Sequence, residues 1–511
     1  MTLLFLALAA CGADPASDCE TAIQHVTDCY GSDVGEAFAE ACTPETAATA
    51  LAEQCPGPEG KEDAFSTPVL SPAIEQFKYG SIGADKIGMP LAIVKALPLV
   101  CPDLLPPGTD PRDRPLAGFG MIYEPGHELP IGLSQRRLPL IGITLTGTTC
   151  SACHTSTVRE TADGPRTVYF GAPAIRFDLQ RFNSFVFDCI RDPSRFNAQT
   201  LDRAFRELGI TGFDRLLALK SSFLRAFVAD LDRKVGAVVT DGPWGPGRDD
   251  AIGLSAATLL GDEFLPSIPA PVDFPSVWNQ QARRGHALHW DGAAGTAFER
   301  NVLVSVGAGT PRDGVPFASI QAIQSWLEQL PAPAYPYAID AELAARGAPI
   351  FAARCASCHG PTGAQTWSVV PLAELGTDPS RVDVVSVDGI AKLNSLSGAG
   401  WQFDQFRKTD GYLASLLDGI WLRAPYLHNG SVPTLRALLS PPAERPVTFY
   451  RGNDMYDAAN VGFVSTVARE GATDYTLVDT RRAGNGNAGH VYGTDLSAAD
   501  RDALLEYLKT L

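Results

Sequence analysis

Ile339-Asp-Ala-Glu-Leu-Ala-Ala-Arg-Gly347-Ala-Pro-Ile-Phe-Ala-Ala-Arg-Cys355-Ala-Ser-Cys358-His359 carries two patterns at once. Ile339, Leu343, Gly347, Ile350 and Phe351 recur at helical spacing, so one face of a helix is apolar and suited to burial. Pro349 falls inside that helix, where its ring can kink or restart it. The helix leads into two thiols and an imidazole at the spacing used for covalent haem attachment. The thiols add to the haem vinyl groups, and the histidine turns in to ligate the iron.

Working outward, the chain closes on Ser497 to Leu511, a second helix with Ser497 as N-cap and Asp500 three residues on. A helix that feeds a haem motif, crossed by a closing helix, is the outline of a cytochrome c domain. Upstream the same motif recurs as Cys150-Ser-Ala-Cys153-His154. One copy could arise by chance or as half of a zinc site; two copies in one exported chain predict two covalently bound c-type haems. The fold class expected is mainly α: two cytochrome c-type haem domains with long loops and a small disulfide-held N-terminal cap.

At 511 residues the chain has room for two to four compact units, and 48 glycines and 39 prolines call for many turns and long connections. Met1 to Ala10 is an apolar run ending in Leu8-Ala9-Ala10-Cys11, which reads as a bacterial lipoprotein signal with Cys11 as the lipidated residue, although the usual Lys or Arg near its start is missing. Residues 12–65 form a Cys-rich acidic cap and linker, closed by the Pro-Gly-Pro-Glu-Gly run at 56–60. Residues 66–336 form an N-terminal haem domain with a helical middle over Leu201–Val235. The Pro-Ala-Pro-Ala-Tyr-Pro run at 331–336 separates it from the C-terminal cytochrome c domain, 337–511. The expected location is outside the cytoplasm, in the periplasm or anchored to the outer membrane, with membrane contact only through the lipid at Cys11.

The cysteines agree with export. Of 11, one is the lipid site and four belong to the haem motifs; Cys19, Cys29, Cys42, Cys55, Cys101 and Cys189 remain, an even number suited to an oxidising compartment. The four in the cap allow three connectivities. Cys101 with Cys189 is a plausible further pair, two buried free thiols being the alternative. With 41 basic and 58 acidic side chains the formal charge is −17, which argues against nucleic acid as a partner.

The sixth position on each iron separates catalysis from carriage, since an open position admits dioxygen or peroxide and a filled one favours electron transfer. The four methionines are Met1, Met89, Met121 and Met455. None follows the first motif within the tens of residues where a carrier places its axial Met, and only the distant Met455 follows the second. His25, His127, His286, His289, His428 and His490 remain as candidate distal ligands.

Leu288-His289-Trp290-Asp291-Gly292 with Phe298-Glu299-Arg300, and Ala424-Pro425-Tyr426-Leu427-His428-Asn429-Gly430-Ser431, resemble segments of the bacterial di-haem cytochrome c peroxidase superfamily. Within it the chain is most similar to the di-haem rubber oxygenases. That similarity rests on Phe77-Lys-Tyr-Gly-Ser-Ile-Gly83, Leu129-Pro-Ile-Gly-Leu133, Leu417-Asp-Gly-Ile-Trp421, Phe449-Tyr-Arg-Gly452 and Gly489-His490-Val-Tyr-Gly-Thr494, from about residue 72 to the end. The resemblance implies that His154 and His359 are proximal ligands, that the N-terminal haem reacts, and that the C-terminal haem is six-coordinate. It also implies a relay at Trp290, a catalytic role; packing in the core is the plainer reading of a large aromatic. His490 matches the family's C-terminal distal ligand, with His428 as a pocket residue near the propionates or between the haems. Gly484, Gly486 and Gly489 would let the His490 backbone approach the haem. One departure is the family's distal Phe, which falls near Val302-Leu-Val-Ser-Val-Gly307 and is missing here.

Three functions follow. The first is a haem oxidoreductase acting on peroxide or dioxygen, supplied by a small redox protein. The second is a rubber-oxygenase-like dioxygenase cleaving an apolar alkene. The third is a non-catalytic electron-transfer lipoprotein.

Overall fold

The computed structural model describes residues 19–24, 73–138, 142–212, 215 and 244–511. The lipid site at Cys11, all of the cap except 19–24, and most of the helical middle past residue 212 lie outside the described residues. None of the described helices is long and apolar enough to cross a membrane.

Helices dominate, and the strands among the described residues are short: one three-stranded sheet and seven two-stranded ladders, every ladder antiparallel. The first part opens with α1 (Ala73–Tyr79), β1 (Met89–Pro90) and α2 (Leu91–Val100). β2 (Leu133–Arg137) and β3 (Thr144–Thr148) follow, with β3 central between β1 and β2. The chain then enters α3 (Cys150–Cys153) and the ladder of β4 (Thr155–Val158) with β5 (Thr167–Phe170).

α4 (Leu179–Arg191) and α5 (Ala198–Glu207) pack with α2 around Phe119, Phe177, Phe185 and Phe205. α4 is capped by Asp178, whose carboxylate accepts from the Arg181 N–H at 2.9 Å, and α5 by Asn197 in a capping box with Thr200. Cys101 and Cys189 form a disulfide inside this core, with Cα atoms 5.8 Å apart across 88 residues of chain. Closing a loop of that length restricts the unfolded chain by roughly 4 kcal/mol.

β6 (Arg248–Asp249) pairs with β7 (Val272–Asp273), after which come α6 (Ala297–Gly307) and α7 (Phe317–Gln329). The C-terminal part holds α8 (Ala341–Arg354), α9 (Ala356–His359), the ladder of β8 (Val369–Pro371) with β9 (Gly411–Leu413), and α10 (Ala498–Leu508). α8 runs unbroken through Pro349, and Ser497 caps α10 by accepting from the Asp500 N–H at 3.2 Å.

α8 and α10 cross at Gly347. A Cβ there would lie 2.1 Å from the Ala503 carbonyl oxygen and 2.8 Å from the Tyr507 Cβ, so only glycine lets the two backbones approach so closely. Phe351 is buried there with Leu504, Leu505 and Leu508.

Two cores draw on both sides of the 331–336 run. One joins Val158, Ile175 and Trp278 to Trp421, Tyr426 and Leu504; the other joins Leu288, Val302 and Val306 to Leu396, Trp401 and Phe403. A buried polar seam reinforces them. Asp454 accepts from Arg159 Nε at 2.6 Å, Thr157 Oγ1 at 2.6 Å and Arg166 Nε at 2.7 Å, and the Arg159 N–H donates to the Asp454 carbonyl at 2.9 Å. Against burial, which opposes them, the Arg176 charge, the Thr157 hydroxyl and Arg166 hold the Asp454 carboxyl below the ordinary range.

Gly347→Val is expected to lower stability by about 1–3 kcal/mol, because the added methyls force the crossing apart. A fall in the midpoint of a thermal melt followed by far-ultraviolet circular dichroism checks this; an unchanged midpoint means the crossing can yield.

Candidate haem centre

α3 carries the first motif. Thr149 and Ser151, flanking Cys150, both donate to the Lys78 carbonyl, at 3.3 and 2.8 Å, pinning the motif to the end of α1. The next residue after α3, His154, directs Nδ1 to the Pro275 carbonyl at 2.9 Å. That bond fixes the tautomer with the proton on Nδ1 and leaves Nε2 as the ligating nitrogen. Burial draws the His154 pKa down to about 4, so the ring is neutral, as a ligand must be.

The second motif is built alike. His359 at the end of α9 directs Nδ1 to the Ser415 carbonyl at 2.7 Å. Opposite it stands His490, its ring centre 6.3 Å from that of His359 and the two planes 40° apart. Two metal–nitrogen bonds of about 2 Å, with about 1 Å from each nitrogen to its ring centre, put opposed imidazoles roughly 6 Å apart, so the spacing suits a single iron. Desolvation, then the neighbouring His359, lowers the His490 pKa to about 4.

The loop bearing His490 is held by backbone contacts. Its N–H donates to the Leu375 carbonyl at 2.8 Å, and Arg445, 2% exposed, donates to the carbonyls of Gly489 and His490 at 2.8 and 3.2 Å. A Cβ on Gly489 would lie 2.3 Å from the Gly376 carbonyl carbon. Gly489 thus clears the 375–377 backbone, Gly484 clears Pro269 and Pro271, and Gly486 clears Asp378.

Trp290 lies between the two motifs in hydrogen-bond terms. Its indole N–H donates to the Asp273 carbonyl at 2.8 Å, two residues from the Pro275 carbonyl that holds His154. Its own carbonyl accepts from the Leu413 N–H at 2.8 Å, two residues from the Ser415 carbonyl that holds His359. His428, 5% exposed, is close by: its carbonyl accepts from the Asp273 N–H at 2.9 Å, and its ring stacks on Tyr412 with centres 3.9 Å apart and Nε2 2.9 Å from the Tyr412 hydroxyl. Burial lowers its pKa to about 3.

The residues fit a covalent haem and do not fit zinc. Cys150, Cys153, Cys355 and Cys358 are free thiols, and among the described residues the motif thiols and imidazoles do not converge on a common point as a zinc ligand set would. Of the three groups that do converge, Glu75, Glu124 and His127, both carboxylates accept from the Lys78 ammonium at 2.9 Å. Arg381, 7% exposed, is ion-paired through Nε with the buried Asp291 at 3.4 Å and has Nη1 without a hydrogen-bond partner. A buried guanidinium with an unmet donor suits a propionate.

Other candidates fall elsewhere. His286 stacks on Trp367 and His127 on Tyr79; Met455 forms a bridge with Arg159, and Met121 is in the first core. Val302 and Val306 are buried in the core with Trp401 and Phe403, and Ser305 donates to the Ile82 carbonyl at 2.5 Å, so this side of α6 is packing surface. Sequence reasoning did not find Pro275, Asp273, Ser415, Arg381 or Arg445. The first three act through backbone carbonyls, and no side-chain signal marks a carbonyl.

A family model for RoxA-like, cytochrome c-like domains matches residues 411–450, the stretch that includes Tyr412, Ser415 and His428. The chain is a haem c-type cytochrome with covalently bound haem, of an oxidoreductase kind. It is 34% identical over 302 residues to the uncharacterised protein y4iM of Sinorhizobium fredii, a match spanning 50% of this chain and 68% of that protein, and it belongs to the same family. A second uncharacterised protein of that organism, y4iJ, is 27% identical over 543 aligned positions, spanning 85% of this chain and 84% of the relative. The match to a RoxA-like domain supports the rubber-oxygenase-like part of the resemblance.

Proposed function

We propose that the protein carries two haems, at Cys150–His154 and Cys355–His359, and is an oxidoreductase using peroxide or dioxygen at the first, with electrons reaching it through the second. The observation that carries this reading is an asymmetry. His490 faces His359 at ligating distance, whereas among the described residues no imidazole ring packs against His154. A filled sixth position suits electron transfer and an open one suits chemistry.

Bound haem supplies the redox-active iron. The protein's own residues do the rest: His154 and His359 are each kept neutral by burial and oriented by a backbone carbonyl, and His490 closes the second site. Trp290 joins the two by hydrogen bonds on either side, and its oxidisable indole makes it the relay. Arg381 offers its unmet donor to a propionate, and His428 packs against the segment that joins the sites. A lipid at Cys11 would keep the protein in the periplasm or on the outer membrane, where a small redox protein delivers electrons.

Intact mass of the processed protein should exceed the polypeptide by two haems, and cyanide should perturb the spectrum of one haem only. A gain of one haem, or cyanide binding at both, overturns the division of labour. His490→Ala should abolish a six-coordinate low-spin signal at one haem while both stay attached; if His428→Ala does so instead, the distal assignment is reversed. Trp290→Phe should keep both haems and slow electron exchange between them, since a benzene ring is far harder to oxidise than indole. Unchanged inter-haem kinetics would leave Trp290 as a packing residue.

A further inference from the structure

The residue before the relay has no structural duty of its own. His289 is half-buried, its ring nitrogens have no hydrogen-bond partner among the described residues, and its one ring contact is a stack on Phe406 with centres 6.5 Å apart. Its backbone is left-handed, φ +70°, which is uncommon and strained for a residue with a side chain. The strain is imposed by a tight loop: Leu288 and Ala294 exchange backbone hydrogen bonds at 2.8 and 3.3 Å, and His289, Trp290 and Asp291 ride on it.

Three residues past that loop α6 begins, and in its first turn stands Arg300. Its guanidinium donates to Gln280 Oε1 at 2.8 Å, Gln324 Oε1 at 3.1 Å and Asn301 Oδ1 at 2.9 Å. All three acceptors are neutral amides, and among the described residues no carboxylate pairs with it. A largely desolvated cation without a counter-charge is costly unless an anion, or developing negative charge, completes it.

Arg300, and Trp290 as the chain neighbour of His289, belong to the first motif's surroundings. The stretch from Asp273 to Gln280 holds Trp290 at one end, His154 in the middle and Arg300 at the other. The Arg300 charge acts on Cys150 and on His154, and on His289 after the larger effects of the Asp291 and Arg381 charges. Desolvation holds the His289 ring neutral, its pKa drawn down to about 4, as a proton acceptor requires.

We propose that His289 and Arg300 form the acid–base and charge-stabilising pair of the N-terminal site, with hydrogen peroxide as substrate. The inference rests on the peroxide reading above and names the residues that carry it out. The proton on one peroxide oxygen passes to His289 and from there to the other oxygen, so the O–O bond breaks with water as the leaving group. Arg300 offsets the negative charge that builds on the departing oxygen. Two electrons, delivered one at a time by a small redox protein, and two protons from solvent complete the reduction of one peroxide to two waters.

The test uses the full haem-loaded chain and two readouts, one of which needs no turnover. Hydrogen cyanide must lose its proton to bind ferric haem as cyanide, so a distal base speeds its binding. His289→Gln should slow cyanide binding and peroxide reduction alike, by roughly 10²–10⁴-fold, with both haems attached and a resting spectrum unchanged. Arg300→Gln should slow peroxide reduction more than cyanide binding, and Arg300→Lys should recover part of the loss. If His289→Gln slows cyanide binding but the unmodified protein reduces no peroxide, the base stands and peroxide as substrate falls. If cyanide binding is unaffected, the pair is refuted whatever peroxide does. If His289→Gln turns a low-spin haem high-spin, His289 is an axial ligand and the proposal is likewise overturned.

Discussion

The site depends on one stretch, Val272 to Gln280, two of whose backbone carbonyls hold side chains of the site. The Pro275 carbonyl orients His154, the Asp273 carbonyl takes the Trp290 indole N–H, and the Gln280 side chain accepts from Arg300. Backbone carbonyls cannot titrate or swing away. They therefore set a proximal imidazole's tautomer and a tryptophan's position more rigidly than a surface side chain could. The second site repeats the device, with Leu413 and Ser415 on one strand end serving Trp290 and His359.

What holds that stretch in place is a set of buried charges. Asp273 pairs with Arg451 at 2.8 Å, and Arg248, 1% exposed, donates to the Asn429 carbonyl at 3.0 Å and to Asn485 at 2.8 Å. Burial raises the Asp273 pKa to about 6 and lowers that of Arg248 to about 9. Pairs of this kind add little net stability compared with apolar packing, but losing one member strands the other in the interior, at a cost of about 3–5 kcal/mol. They tie residues near 250 and 273 to residues near 430, 451 and 485, so the relay region cannot open without breaking several at once.

Backbone strain falls at the same places. His289 and His490 are both left-handed, at φ +70° and +44°, and Leu427 beside His428 is at +70°. A side chain in that region costs on the order of 1–3 kcal/mol and persists only where its surroundings over-determine it. At His490 the surroundings are Arg445 and the Leu375 carbonyl; at His289 they are the closed loop from Leu288 to Ala294.

The amino-acid sequence by itself determined the local events: two haem motifs, the amphipathic α8 and the capped α10 around the second of them, and the pairing of Cys101 with Cys189 as a possibility. Each is written in spacing of three to four residues or in residues with one chemistry. It also singled out His490, Trp290 and His428, through motif likeness. Only the tertiary structure decided that α8 and α10 meet at Gly347, that His490 stands 6.3 Å from His359 across 131 positions of chain, and that Pro275, Asp273 and Ser415 are the groups that hold the site. It also decided that the two sides of the 331–336 run share their cores. The reason is physical: a carbonyl looks the same in every residue, so its role comes from the neighbour that folding brings to it, and no local pattern records that neighbour.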